Sequence, residues 1–433
     1  MTYKEVLAHL DALQMHKIKL GLEAMQSFLA KVGRPESSVK CVHIAGTNGK
    51  GSVCAALSEI LGRGGYRVGV YTSPHLSSVR ERFRIGDRYI SEKEFAELGT
   101  QICEVLGKDQ ITYFEFTTAL GFLWFAKSNI DLLLLETGLG GRLDATNVVT
   151  PLVSVITSVS LDHEAYLGNT LGEIGGEKAG IIKVGVPVVS AAINKEVAPV
   201  VERVAKENNA PLFVYRQDFD YKINDDKTWS WSCGERLGSR KIDGLHCRQT
   251  SLVQQENESL AIAVLQLLEK QDFVISRENI KDGLAAVTWP GRMEYFEKEF
   301  STGRKLRYLL DGAHNYEGVK NLSQTLSSQF QYKNLIGVWG SMADKDLSGT
   351  LGYIVPLLDI CIFTQPIGER SASPEYIASF LDDAYQGKVE CLTDMEEALN
   401  RAQNIAGSDD LILIGGSLYL VGAMRQLLLG DLA

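Results

Sequence analysis

The sequence predicts an α/β protein whose larger part is a doubly wound, mostly parallel sheet. Three observations carry this. Short apolar runs alternate with helix-forming stretches along the 433 residues. One run, Asp131-Leu132-Leu133-Leu134-Leu135-Glu136, is apolar on both faces, as a strand covered by helices on each side must be. Polar runs fall where the strands end: Gly46 to Ser52, Thr72 to His75, Glu136 to Asn147 and Ser160 to His163. Open α/β sheets bind ligands beyond the carboxyl ends of their strands, so four strand ends converge on one crevice.

The elements follow in order. Residues 1 to 35 read as helical, with Leu20, Leu22, Met25, Phe28 and Leu29 at helical spacing before Gly33-Arg34-Pro35 breaks the pattern. A strand beginning at Val42 feeds a glycine-rich turn, and a helix-forming run follows from Cys54 to Leu61. Gly64-Gly65-Tyr66 stops it. Arg67 to Tyr71 is a strand, ending in Thr72-Ser73-Pro74-His75-Leu76. Ser91 caps an amphipathic helix to Leu106, with Glu94 completing a capping box. Thr112 to Ala126 is a second, strongly apolar helix. After the 131 to 136 strand come Pro151 to Val159, Pro187 to Ser190 and Pro211 to Val214.

Residues 216 to 250 are polar and predict a flap of short strands. Asn257 to Lys270 returns to an apolar-periodic helix. Trp289-Pro290-Gly291-Arg292 is a breaker cluster, read as a hinge, and places a boundary between domains 1–289 and 290–433. Alternation then restarts, with strands at Leu306 to Leu310, Leu335 to Trp339, Cys361 to Thr364, Val389 to Leu392 and Leu411 to Ile414.

Bulk composition excludes several classes. A hydrophobic content of 45% with 23% charged residues is that of a soluble globular protein. The net charge of -10 argues against a general nucleic-acid binder. Seven scattered cysteines with no CxxC pair suggest free thiols in a reducing compartment rather than disulfides or zinc. Met1 to Leu10 lacks a signal peptide's apolar core, and the best apolar run, Leu411 to Met424, is too short to span a membrane. The expectation is a cytoplasmic protein, monomeric, with small-molecule partners and neither nucleic acid nor membrane among them.

Gly46-Thr47-Asn48-Gly49-Lys50-Gly51-Ser52 carries the strongest chemistry. Glycines admit a phosphate close to the backbone, and the helix N-terminus behind them adds partial positive charge. Lys50 suits the β/γ-phosphates and Ser52 a metal ion. Gly46 and Gly49 bracket two residues where the general P-loop pattern has four, so the spacing alone leaves a solvated turn as the alternative. The strand before and the helix after favour phosphate.

Glu136 ends an apolar strand, where a carboxylate is costly unless paired. Magnesium fits, since it takes one or two carboxylates plus phosphate oxygens; an ion pair with Arg142 is the alternative. His163 shares the strand-end face with Glu136 and Ser73 and is read as a ligand against a backbone-bonded core histidine. His75 suits capping or packing as well as catalysis. Glu177-Lys178-Ala179-Gly180-Ile181-Ile182-Lys183 reads, from its residues alone, as a helix end with solvated charges. In the second half, Asp311-Gly312-Ala313-His314-Asn315 joins a strand to a helix by the same strand-end logic, so Asp311 and His314 are expected to face the cleft between domains, with an N-cap by Asp311 or Asn315 as the alternative. Arg292 beside the breaker is a natural phosphate clamp.

Together these runs resemble the folylpolyglutamate synthase and dihydrofolate synthase family, within the Mur-ligase-like group of ATP-dependent amide ligases. The matching stretches are GTNGKGS, TSPHL, TYFEFTTA, ETGLGGRLDATN, LDH, EKAGIIK, WPGR, DGAHN and GSLYLVG, over roughly residues 17 to 422. Each is modest alone; their order and co-occurrence are specific. The resemblance implies an N-terminal P-loop ATPase domain and a smaller, Rossmann-like C-terminal domain with the substrate cleft between them. It implies that Gly46 to Ser52 bind the ATP phosphates and that Ser73, Glu136 and His163 hold magnesium (Mg2+). Lys178 matches a lysine that is carbamylated in these ligases. Asn257 falls at an adenine contact, and Arg292 and Asp311 at second-domain nucleotide contacts. Phe114 lies near the pterin-bearing substrate, His314 at the closed cleft and Ser417 near the incoming glutamate.

Three departures stand out: Val253-Gln254 replaces the usual His-Gln, Tyr316 a common proline, and Glu164 an uncharged residue. The implied activity joins L-glutamate to dihydropteroate or to a reduced folate. ATP phosphorylates the substrate carboxylate, and the glutamate amine displaces phosphate from the acyl phosphate while domain closure excludes water. A peptidoglycan-precursor ligase, or a nucleotide-binding protein that has lost ligation, are the alternatives.

Overall fold

In a computed structural model that describes residues 1–14, 21–248, 251–382 and 385–431, the chain divides into two compact units. The first holds Met1–Pro74, Arg80–Arg248 and Gln255–Val287; the second holds His75–Val79, Gln249–Gln254 and Thr288–Ala433. The helix expected through residues 15–20 and the last two residues of the expected flap lie outside the described residues.

The first unit is built on β1 (Cys41–Ala45), β2 (Val68–Tyr71), β3 (Phe83–Ile85), β4 (Arg88–Tyr89), β5 (Leu132–Glu136), β6 (Val153–Ile156), β7 (Val188–Ser190) and β8 (Leu212–Val214). Their order is β4-β3-β2-β5-β1-β6-β7-β8. All neighbours from β2 to β8 pair in parallel, and β3 and β4 add an antiparallel edge. The edge hairpin was not expected, because two- and three-residue strands are too short to show a period. The order reverses at β1, so the chain leaves a crevice beyond the carboxyl ends of β1 and its neighbours. Every residue of β1, β2, β5 and β6 is buried, which explains why apolar side chains dominate them, with His43, Glu136 and Ser154 as buried polar exceptions.

Helices α1 (Tyr3–Gln14), α2 (Glu23–Lys31), α3 (Lys50–Arg63), α4 (Glu92–Leu106), α5 (Tyr113–Lys127), α6 (Glu164–Leu167), α7 (Leu171–Ala179), α8 (Ala198–Glu207), α9 (Gln254–Glu269) and α10 (Arg277–Ala286) belong with this sheet. Both halves of the Ser91/Glu94 capping box form, and Thr112 with Glu115 repeats the device on α5. Residues of α5 are apolar on every side and buried from Glu115 to Phe125. The expected flap is a three-stranded antiparallel sheet of β9 (Phe219–Ile223), β10 (Trp229–Cys233) and β11 (Lys241–Leu245), which buries Trp229 and Trp231.

The second unit has strands β12 (Glu294–Glu299), β13 (Lys305–Asp311), β14 (Leu335–Trp339), β15 (Ile360–Phe363), β16 (Lys388–Cys391) and β17 (Leu411–Gly415), in the order β12-β13-β17-β14-β15-β16. All pair in parallel except the edge strand β12, whose alternate residues Tyr295, Glu297 and Glu299 are exposed. Helices α11 (Tyr316–Gln329), α12 (Leu347–Ile354), α13 (Pro374–Ala378), α14 (Met395–Ile405) and α15 (Leu418–Leu429) complete it. Strand period divides the core: Leu411 and Leu413 enter one apolar cluster with Trp339 and Phe363, and Ile412 and Ile414 enter another with Val338 and Met424.

Candidate functional site

The first unit's site starts where β1 ends. Gly46 has φ 149°, and a Cβ there would lie 1.8 Å from Thr157 Oγ1. Gly49 has φ 87° and caps α3 in the left-handed region; its Cβ would lie 2.2 Å from Asn257 Oδ1. Neither position admits a side chain. Because Gly49 turns the chain so sharply, α3 begins at Lys50, earlier than its apolar residues suggested. Gly51 and Ser52 lie in its first turn, whose N–H groups have no partner within the helix.

The segment after β6 holds the loop from the side. Thr47 N donates to Ser158 O (2.7 Å), Thr47 Oγ1 to Ser160 O (3.1 Å), and Thr157 Oγ1 to Asn48 O (2.6 Å). Thr157 carried no signal in the sequence. Asn257, on α9, is buried against Gly49.

Lys50 folds back over its own loop. Its Nζ donates to Gly46 O (3.0 Å) and Thr47 O (3.1 Å) and lies 3.8 Å from Glu136 Oε1. Glu136 ends β5, is 5% exposed, and accepts a hydrogen bond from Ser73 N (3.3 Å). The alternative pairing with Arg142 does not occur: Arg142 Nη2 donates to Glu177 Oε1 at 2.6 Å, and Lys50 is the cation beside Glu136.

His163 is not a core histidine. Its side chain is 43% exposed, it sits at φ 54° before α6, and its Nε2 is 3.9 Å from Asp162 Oδ1. Among the described residues, no three His, Cys, Asp or Glu side chains gather as a metal cage. Magnesium needs no such cage, because it keeps waters and shares phosphate oxygens. A buried carboxylate at a strand end, with Ser73 beside it and Lys50 across from it, fits that demand.

Lys178 overturns the solvated reading. It ends α7 as expected of a helix terminus, yet it is 4% exposed and its Nζ donates to Gly46 O at 2.9 Å. Burial and then the charge of Lys50 push its pKa down to about 7, against the pull of Asp162 and Asp144. Two lysines thus converge on one carbonyl, and Lys178 loses its proton far more readily than a solvated lysine. Phe114, in the first turn of α5, lies 6.3 Å from the Tyr71 ring, and its ring fills the space where a side chain on Gly138 would stand.

In the second unit, Asp311 ends β13 and is 6% exposed. Its oxygens accept Met293 N and Ala313 N, each at 2.8 Å. Burial raises its pKa, and Arg292 and these two bonds oppose the rise. The N-cap of α11 is Asn315, which accepts Gly318 N at 2.8 Å. His314 Nδ1 donates to Gly312 O (2.8 Å), which fixes its tautomer, since a carbonyl can only accept. Ser417 caps α15 by accepting Leu420 N (3.1 Å). His75 packs with this unit.

Known proteins resemble the chain over nearly its whole length. Residues 291–418 match the family described as Mur ligase, glutamate ligase domain. The chain is 34% identical to the dihydrofolate synthase/folylpolyglutamate synthase of Bacillus subtilis (strain 168), over 94% of this chain and 95% of that protein. It is 31% identical to the Escherichia coli (strain K12) protein of the same name, over 98% and 94%. Among solved structures, E. coli FolC in complex with DHPP and ADP matches with a TM-score of 0.88 and 30% identity, covering 99% of this chain and 97% of that one. A bifunctional folylpolyglutamate synthase/dihydrofolate synthase with Mn, AMPPNP and L-glutamate bound matches with a TM-score of 0.85 and 33% identity, covering 98% of each.

Proposed function

This chain belongs to the folylpolyglutamate synthase and dihydrofolate synthase family, and we propose that it is an ATP-dependent ligase with both activities, joining L-glutamate to dihydropteroate and to the γ-carboxylate of reduced folates. The observation that carries this reading is the convergence of Lys50, Glu136 and Lys178 on the loop from Gly46.

The loop from Gly46 to Ser52 and the first turn of α3 bind the ATP phosphates through backbone N–H groups. Lys50 leaves its two carbonyl partners for the phosphate oxygens and offsets charge that builds during transfer. Glu136, Ser73 and His163 hold magnesium, which supplies charge neutralisation on the phosphates. Asn257, Arg292 and Asp311 contact the nucleotide, Phe114 lies near the pterin-bearing substrate and Ser417 near the incoming glutamate, and His314 is a further substrate residue. The neutral amine of Lys178 adds carbon dioxide, forming an N–C bond and releasing a proton. The carbamate reverses the side chain's charge and suits a site that must accommodate a cation. The substrate carboxylate takes the γ-phosphoryl group, and the glutamate amine then forms the amide and expels phosphate.

The seven cysteines stand as free thiols, which supports a reducing, cytoplasmic setting, and we read the chain as a monomer there. No helix among the described residues is long and apolar enough to cross a membrane. The test is phosphate release from ATP with dihydropteroate or tetrahydrofolate, with and without glutamate. Release that needs ATP, the pterin substrate and glutamate together is expected. Glutamate-independent release, or none, would sink the reading.

A further inference from the structure

The loop between β5 and β6 stands out in the sequence, yet only Glu136 at its start enters the reaction proposed above. Its interior is organised around Asp144, which is 3% exposed. A buried carboxylate is costly unless donors surround it, and four do. Gly138 N (2.9 Å) and Leu139 N (2.8 Å) donate to Oδ2; Thr146 N (3.0 Å) and Thr146 Oγ1 donate to Oδ1. Both carboxylate oxygens already accept backbone N–H groups, so the Thr146 hydroxyl proton points at Asp144. The hydroxyl oxygen then accepts from His43 Nε2–H at 2.8 Å. His43 is fully buried in β1, three residues before Gly46, and its Nδ1 has no hydrogen-bond partner among the described residues. Its ring is the neutral Nε2–H tautomer.

The other side of the same loop supports the end of α7. Arg142 N donates to Glu177 O (2.7 Å), and Asn147 Nδ2 donates to Arg142 O and Gly180 O (both 3.0 Å). A Cβ on Gly141 would lie 2.8 Å from Glu177 O and 2.9 Å from Lys178 O; one on Gly180 would lie 2.5 Å from Arg142 Cα. Backbone therefore rests on backbone where α7 presents Lys178.

We propose that His43, Thr146 and Asp144 are positioning residues that clamp loop 137–147 between β1 and the end of α7, and so set the Lys178 amine at Gly46. The proposal rests on the ligase reading for its kinetic readout, and on geometry alone for its spectroscopic one.

Thr146→Val keeps shape but deletes the hydroxyl, leaving a ring N–H and a carboxylate lone pair unmatched; Thr146→Ser keeps the hydroxyl. In the glutamate-dependent phosphate assay, Thr146→Val should lose roughly 10- to 100-fold in kcat, the cost of displacing a reacting group by about an ångström. KM for ATP should stay near the wild-type value, because the phosphate loop has its own bonds to residues 157–160. Thr146→Ser should regain most of kcat. Wild-type kcat in Thr146→Val, equal losses in both variants, or a raised KM with kcat unchanged would each overturn the proposal. In the wild-type chain, 15N-labelled histidine should show His43 as a neutral Nε2–H ring from about pH 5 to about pH 8, where an ordinary histidine titrates. Loss of that signal in His43→Gln assigns it. A titrating ring or an Nδ1–H tautomer would overturn the network even if Thr146→Val failed to fold. A wild-type chain without glutamate-dependent turnover would sink the ligase reading instead, and the histidine measurement would still decide the network.

Discussion

Lys178 joins two facts that sequence keeps apart, an ionisable group and an almost dry environment. Its folded pKa is pushed down to about 7, from about 10.4 in an unfolded chain. Between those values the unfolded chain binds a proton that the folded chain does not, so stability rises with pH across that window. The contribution is fully present above the unfolded pKa and is lost as pH falls through the folded one. Denaturant unfolding in carbon dioxide-free buffer should therefore show wild type gaining on Lys178→Met as pH rises through this window. A flat difference between the two proteins would mean that the amine is solvated.

At the scale of elements, α3 and its loop show how a single backbone angle places a site. Gly49 ends the loop in the left-handed region and leaves room for Asn257. Gly49→Ala should cost about 1 kcal/mol or more of stability from backbone strain alone. It should also displace Asn257, and KM for ATP should rise as the phosphate loop shifts. Unfolding measurements and ATP kinetics check the two effects separately. An unchanged KM would show that the glycine serves only the turn. The capping box at Ser91 was legible because its spacing is local. The strand β12 was not, since charged residues stand on both of its faces and break any apolar run.

Across the whole molecule, a ligand that binds only the folded state raises stability by mass action, about 2.7 kcal/mol at one hundred times its Kd. ATP with magnesium should therefore raise the melting temperature of the wild-type chain. Lys50→Ala should lose most of that shift, taken against its own nucleotide-free melting point, because its ammonium no longer meets the phosphates. Calorimetry with and without nucleotide measures this, and a full shift in the variant would remove Lys50 from the phosphate site.

The sequence by itself determined the alternation of strands and helices, the buried run that becomes β5, the glycine turn before α3, and the acid at the strand's end. These are local patterns: a period, a cap, a breaker, a polar residue after an apolar run. Tertiary structure alone decided who meets whom. Arg142 found Glu177 rather than Glu136, and His163 stayed at the surface. Lys178 was buried against a carbonyl 132 residues earlier in the chain. No local pattern encodes that last meeting, because a helix-end lysine is solvated or buried according to what packs over it, and what packs over Lys178 is the loop that ends β1.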